Sequence, residues 1–354
     1  MRVLQEPFKK LNIYDEVGGW LAKGDGFVNV TGSSGSGTDR VFLMEAFADD
    51  APAKMIITYS DRRAEEIYSD LRFYSRDVYM YPAKDILFFS ADVHGNAITR
   101  RRMEVLRKLA TGEKCTIVAT VDALFDKIPA LSYMNRYVIN IHTMDHLNLD
   151  ELKGKLVDLG YEKTDSVEEP GQFAVRGGII DIFPLTEDCP YRIDMWDDEV
   201  DTIKTFDAES QRSIENVDQL VIYPAGEMVL SKDRINRGIR RIKNELASYS
   251  KKLKAEFKTE AYARIKREVA ELEEQLTEFS ATYGVDSYVD YFYSDTVSII
   301  DCLPEKSFVF IDETSKVSDR AVSSEQSFVS AMSHRLEGGY VLPGQLGVMY
   351  SYDD

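Results

Sequence analysis

Two stretches of this chain hold residues whose types and spacing suggest chemistry. The first is Gly32-Ser33-Ser34-Gly35-Ser36-Gly37-Thr38-Asp39. Against the phosphate-cradling pattern G-x-x-x-x-G-K-[ST], Gly32 and Gly37 stand at the right interval, but Thr38 takes the lysine position and Asp39 the Ser/Thr position. The lysine would stabilise phosphate charge and the hydroxyl would bind Mg²⁺. Thr38 has no charge, and Asp39 sets an anion where phosphates need donors. Arg40 comes one residue late and is expected to point elsewhere on the helix that follows. Far along the chain, Ser307-Phe308-Val309-Phe310-Ile311-Asp312-Glu313 has the form of a Walker B strand, apolar and ending in carboxylates. Without a competent loop those carboxylates do not restore hydrolysis. Gly32, Gly37, Thr38, Asp39, Asp312 and Glu313 therefore read as a degenerate nucleotide site that shapes the fold, where backbone amides would hold an anion only weakly.

The second stretch is Phe173-Ala174-Val175-Arg176-Gly177-Gly178-Ile179-Ile180-Asp181-Ile182-Phe183-Pro184. It is β-branched and aromatic, broken by a Gly pair and closed by Pro, and reads as one strand with a bulge or tight bend in its middle. Arg176 sits beside the bend, where missing Cβ atoms let the backbone re-aim a neighbour. Asp181 lies inside an apolar run, where an unpaired carboxylate would be costly to bury. Arg176 is thus either a cation offered to a partner or the structural mate of a nearby acid. Phe173 and Ile180 beside it are apolar contacts or core, and residue type alone leaves both open.

The elements that must position these residues follow from periodicity. Strand, Gly-rich loop and helix are expected over Phe27–Val30, 31–38 and Val41–Phe47, which is P-loop order. Further strands are expected at Lys54–Tyr59, Val78–Pro82, Thr116–Thr120 and Tyr137–Ile141, alternating with helices, one of them capped near Ser60 or Asp61. That alternation predicts a mainly parallel sheet. Short strands divided by turns then take over, at Phe173–Phe183, Tyr191–Trp196, Val200–Phe206 and Leu220–Tyr223, with a hairpin turn at Asp197-Asp198-Glu199. A stripe of Ile235, Ile239, Ile242, Leu246, Tyr249 and Leu253 marks an amphipathic helix. Its register breaks between Phe257 and Tyr262 and resumes with Ile265, Val269, Leu272 and Leu276. The fold class is α/β, a P-loop parallel-sheet domain discontinuous in sequence with a small β-rich α+β domain inserted. The expected division is 1–146, 147–225 and 226–354.

Composition narrows the function. The 354 residues hold 61 acidic and 43 basic side chains, a net charge of −18 that disfavours broad binding to DNA phosphates. No apolar run reaches membrane-span length and no signal peptide opens the chain, so a cytoplasmic location is expected. The three cysteines, Cys115, Cys189 and Cys302, lack metal spacing, and His142 and His146 lack a complete ligand set, so no metal or other cofactor is expected.

Several motifs resemble a known family. Tyr81-Pro82, the basic helix from Arg100-Arg101-Arg102-Met103, and Ile117 to Leu124 are similar to the opening domain of UvrB-like proteins. So are Gly171 to Pro184, Asp198-Glu199-Val200-Asp201, Phe206 to Ser213 and Tyr223-Pro224-Ala225. Within that superfamily, Asp207 to Ser213 most resembles the transcription-repair coupling factors, over nearly the whole chain. The resemblance implies their amino-terminal UvrB-homology module, a helicase-like domain split in sequence around a small domain. It implies no ATPase activity, UvrA as partner in nucleotide excision repair, and RNA polymerase and DNA engaged through domains downstream. It also allows a role in holding the full-length protein repressed. By position, Arg176 matches a UvrA-contacting arginine and Lys163 stands where UvrB has an arginine; Ala174 replaces a further one. Phe173 and Ile180 flank that contact. The connection from Tyr81 to Arg100 is too short for the hairpin that UvrB threads through DNA, and Asp85 to Phe89 remains as packing. The competing class is a UvrB-type DNA-dependent ATPase that binds damage itself.

Overall fold

The computed structural model describes residues 2–21, 29, 38–47, 51–84, 95–279 and 284–353. The glycines of the loop, the Asp85–Phe89 segment and, apart from Asn29, the expected strand at Phe27–Val30 lie outside them. The chain divides into two compact units. One gathers Met1–Ala83, Glu104–Phe125 and Ile299–Ser324; the other gathers Lys84–Met103, Asp126–Ser298 and Glu325–Asp354.

The first unit is built on a parallel sheet in the order Phe308–Ile311, Ala53–Thr58, Cys115–Thr120, Val78–Tyr81. Ala53–Thr58 and Cys115–Thr120 are buried along their whole length, as central strands covered on both faces must be. Ser60 caps the helix Asp61–Tyr74 by accepting the Arg63 amide, and Ala64, Ile67 and Leu71 pack its inner face on Val41, Ile56 and Val118. Ile139–His142 departs from expectation. It belongs to the second unit and pairs antiparallel with Gln219–Ile222. Only Ile141 on it is buried, which is too little apolar surface for a strand covered on both faces.

The second unit carries a six-stranded sheet ordered Ser213–Val217, Glu199–Phe206, Tyr191–Trp196, Ile179–Ile182, Gln172–Arg176, Glu162–Lys163. All neighbours are antiparallel except the last pair. The Gly pair does not bend one strand; it is the two-residue turn of a hairpin between Gln172–Arg176 and Ile179–Ile182. Gly177 has φ +61°, the sign that the first turn residue of such a hairpin needs and that glycine adopts at least cost. Asp197-Asp198 forms the next tight turn, with Trp196 paired to Glu199. Ser213–Val217 gave no periodic signal because it is a polar edge strand, exposed along nearly its whole length.

Helices Lys232–Ala255 and Thr259–Glu274 realise the broken stripe as a helical hairpin, with Phe257 at positive φ in the connection. Ile239, Ile242, Tyr249, Leu253, Ile265, Val269 and Leu272 share one core with Phe328 and Met332. Gly339, after helix Thr314–Glu337, has φ +72°, and a Cβ there would lie 2.2 Å from the Ala261 carbonyl oxygen. Gly339→Ala combines a left-handed backbone with a clash against main chain. It is expected to cost about 3 kcal/mol, read as a lower urea midpoint with unchanged slope. A midpoint equal to the parent's would mean that the two segments separate at no cost.

Candidate functional site

Register places Ala174, Asp181 and Arg192 side by side across three strands. Asp181 is fully buried, with its side chain 0% exposed. Arg192 grips it with two bonds, Nε to Oδ1 at 2.7 Å and Nη2 to Oδ2 at 2.9 Å, and Arg176 donates from Nη2 to Oδ2 at 2.5 Å. Arg192 also donates to Gln211 and lies over the Phe206 ring at 4.5 Å. The Asp181 hydrogen bond raises the Arg192 pKa above its ordinary value, against burial that would lower it. Two guanidiniums on one carboxylate leave the cluster cationic. Arg192 is the inner member, while Arg176 keeps 51% of its side chain exposed. Among the described residues, Asp181 takes one of the five N–H donors that an arginine offers.

Arg176 is therefore the mate of a buried acid and, at the same time, a half-exposed surface cation. Phe173 and Ile180 are corrected as direct contacts: at 0% and 1% exposure they are core beneath the hairpin, packed with Ile193 and Ile203. Their side chains point to the opposite face of the sheet from Arg176, because alternate residues of a strand do so. Lys163 is exposed on the adjoining edge strand, level with Phe173. Ala174 is buried beside Phe183 and Phe206. Sequence reading missed Arg192. The available signal was an arginine inside an apolar strand one hairpin away from a buried-type aspartate.

In the first unit, Thr38 opens helix Thr38–Phe47 and Asp39 lies exposed in its first turn. Arg40 corrects the expectation that it points away. Its Nη1 lies 2.8 Å from Asp312 Oδ1 and 3.0 Å from Glu313 Oε1. Arg63 Nε lies 2.9 Å from Asp312 Oδ2, and Asp312 is wholly buried. The Arg40 hydrogen bond holds Glu313 below the usual carboxylate range. Burial alone would lower the Arg63 pKa, and the hydrogen bonds and charges of Asp312 and Glu66 together raise it above its ordinary value. Asp312 thus has two guanidiniums where a competent site has a metal ion and its waters.

A third cluster, in the second unit, was not foreseen. Arg102, wholly buried, donates from Nε to Glu227 at 2.5 Å and from Nη1 to Asp126 at 2.7 Å. Lys84 joins Glu227 and Asp286 by its ammonium and Asp126 by its amide. Burial alone would push Glu227 up, but Arg102 and Lys84 hold it at about 2. Burial pushes Asp126 up to about 6 despite Arg102. Among the described residues no group of three His, Cys, Asp or Glu side chains is placed to hold a metal, and no helix is long and apolar enough to cross a membrane.

Residues 139–228 match the UvrB interaction domain family. The chain is 30% identical over 311 residues to the transcription-repair-coupling factor of Bacillus subtilis (strain 168), covering 87% of this chain and 26% of the relative. It is 26% identical over 327 residues to that of Staphylococcus aureus (strain bovine RF122 / ET3-1), covering 91% and 27%. Against that of Staphylococcus epidermidis (strain ATCC 12228 / FDA PCI 1200) it is 26% identical over 331 residues, covering 92% and 28%. The chain spans about a quarter of the length of the curated relatives it matches.

Proposed function

We propose that this chain, which belongs to the UvrB-homology modules of the transcription-repair-coupling factor family, is a non-catalytic adaptor that recruits UvrA to stalled RNA polymerase for nucleotide excision repair. The observation that carries the reading is Arg176, anchored by buried Asp181 yet half exposed at a hairpin turn inside the family-matched residues. An anchored guanidinium loses little freedom on docking and recognises a carboxylate with two parallel bonds. Lys163, exposed on the adjoining edge strand and level with Phe173, projects from the face opposite Arg176, so it adds positive charge at the sheet edge rather than to the Arg176 face. In this reading residues 147–225 form the UvrA-binding domain, inserted into a helicase-like P-loop fold made of 1–146 and 226–354. The parallel order with Asp312 at the carboxyl end of its strand supports that fold. Its nucleotide site is inactive, in keeping with the arginines on Asp312. RNA polymerase and DNA are engaged by other parts of the full-length protein, and the same surface, when covered there, contributes to autoinhibition.

Calorimetric titration with UvrA tests this. The parent chain is expected to bind saturably, and Arg176→Ala to weaken binding at least about tenfold, near 1.4 kcal/mol, with the fold retained. Equal binding by both would keep the adaptor role and move its site. No binding by the folded parent would sink the role.

A further inference from the structure

Helix Lys232–Ala255 carries nine basic and two acidic side chains on a chain whose net charge is −18. Its inner face is set by Ile239, Ile242, Tyr249 and Leu253, buried in the core of the helical hairpin. One flank meets the second helix of that hairpin, where Lys243 pairs with Glu273 at 2.6 Å and Lys254 lies over the Tyr262 ring at 4.5 Å. The other flank is marked by Arg241, whose Nη1 donates to the Tyr291 carbonyl at 3.2 Å. Between the flanks, Arg237, Arg240, Asn244, Ser248 and Lys251 follow one another at steps of three and four residues. They form an exposed stripe, with Arg241 and Lys252 along its border. The side chains of Arg237, Arg240, Lys251 and Lys252 hold no ion pair or hydrogen bond among the described residues. The acids nearby are already engaged. Glu245 accepts from the Tyr291 hydroxyl and the Gly344 amide, and Glu256 pairs with Lys258. Asp233 lies in the first turn, beyond the stripe, where a carboxylate complements the helix N-terminus.

We propose that this stripe docks duplex DNA through its phosphates, without reading sequence, in addition to the DNA contacts made by other parts of the full-length protein. Arg237, Arg240 and Arg241 form one cationic cluster, and Lys251 and Lys252 form another. At 1.5 Å of rise per residue their centres stand about 18 Å apart. A major groove is about 12 Å wide with a row of phosphates on either side, so each cluster meets one backbone. Asn244, Ala247 and Ser248 between them are exposed, short and uncharged, and leave the helix free to approach. Among the described residues the stripe holds no aromatic side chain of the kind that centres a protein interface, where lysine is also depleted. The net charge that disfavours broad binding to DNA makes this face the exception. At physiological salt the acidic remainder is screened beyond about 8 Å, so the local cations set where contact occurs.

Titrating the chain into a short labelled duplex, followed by fluorescence anisotropy from about 50 to 200 mM salt, tests the proposal. The parent is expected to bind at the lower salt, with log K falling against log salt at a slope of about −4, as for four to five neutralised phosphates. Arg237→Ala with Arg240→Ala, and Lys251→Ala with Lys252→Ala, are each expected to flatten that slope by about two and to weaken binding at least about tenfold at the lower salt. All four positions are exposed and alanine is the best helix former, so these variants keep the fold. Lys153→Ala with Lys155→Ala removes the same charge from helix Leu149–Asp158, where both lysines are paired with acids, and is expected to leave the slope unchanged. A parent that does not bind the duplex at about 50 mM salt overturns the proposal. So does a slope that the control pair flattens as much as the stripe pairs do. Polyglutamate in place of the duplex supplies the remaining discriminator. Polyglutamate bound by the parent and lost in the stripe variants, with no binding of DNA, would assign the stripe to an acidic protein and overturn the proposal. UvrA is absent throughout, so failure here leaves the adaptor reading standing.

Discussion

Arg102→Met is expected to destabilise the second unit by about 3–5 kcal/mol. Methionine fills much of the same volume, so the loss comes from charge rather than from a cavity. The arginine is wholly buried and bonds Glu227 and Asp126, both buried as well. Without it two carboxylates share Lys84, whose ammonium is also engaged by Asp286. Urea unfolding at neutral pH measures the effect, and its pH dependence identifies the cause. Glu227 is held at about 2, below its ordinary 4.5, so its ion pairs contribute about 3 kcal/mol above that pH and lose it as pH falls toward 2. Asp126 has the opposite sign. Its pKa is raised to about 6, so its contribution is present below its ordinary 3.8 and disappears as pH rises through 6. Arg102 favours the charged form of both. The difference between parent and Arg102→Met should therefore be largest near neutral pH and shrink as pH falls, first as Asp126 protonates near 6 and finally as Glu227 protonates near 2. A difference that stayed constant across that range would assign the effect to packing.

Asp312→Ala is expected to destabilise the first unit by about 2–4 kcal/mol while changing no ATP turnover. Asp312 is the shared acceptor for Arg40 and Arg63, and Arg63 is itself nearly buried. Removing it leaves Arg63 with Glu66, which is largely exposed and screened by water. A working nucleotide site would show the converse, with activity lost and stability nearly kept. Thermal unfolding with and without Mg²⁺ and ATP completes the test. No stabilisation is expected, because a ligand raises the midpoint only by binding the folded state, and here guanidiniums hold the carboxylate that a metal would require. A midpoint raised by Mg²⁺ and ATP in the parent and not in Asp312→Ala would reinstate the ATPase reading.

What the sequence by itself determined was local. Ala53–Thr58 and Cys115–Thr120 were legible as apolar runs, the helical hairpin as a stripe broken near Phe257, and the turn at Asp197-Asp198 from its residue types. Each rests on residues a few positions apart, whose periodicity is imposed by the geometry of one element. The missing lysine at Thr38 was equally plain, since a motif is read position by position. The two roles of Arg176 were indistinguishable for a local reason, because an arginine two strands' width from any acid and one beside it look alike in the chain. Tertiary structure decided the partners. Arg40 meets Asp312 across 272 positions, Arg102 meets Glu227 across 125, and Arg192 meets Asp181 only because two hairpin strands bring them level. Ile139–His142 left the parallel sheet because Gln219–Ile222 arrives to pair with it. Phe173 and Ile180 became core, and Trp196 surface, by the face of the sheet that meets the rest of the unit. Side-chain period is the same on either face of a strand, so burial and ion pairing wait on which elements pack against it.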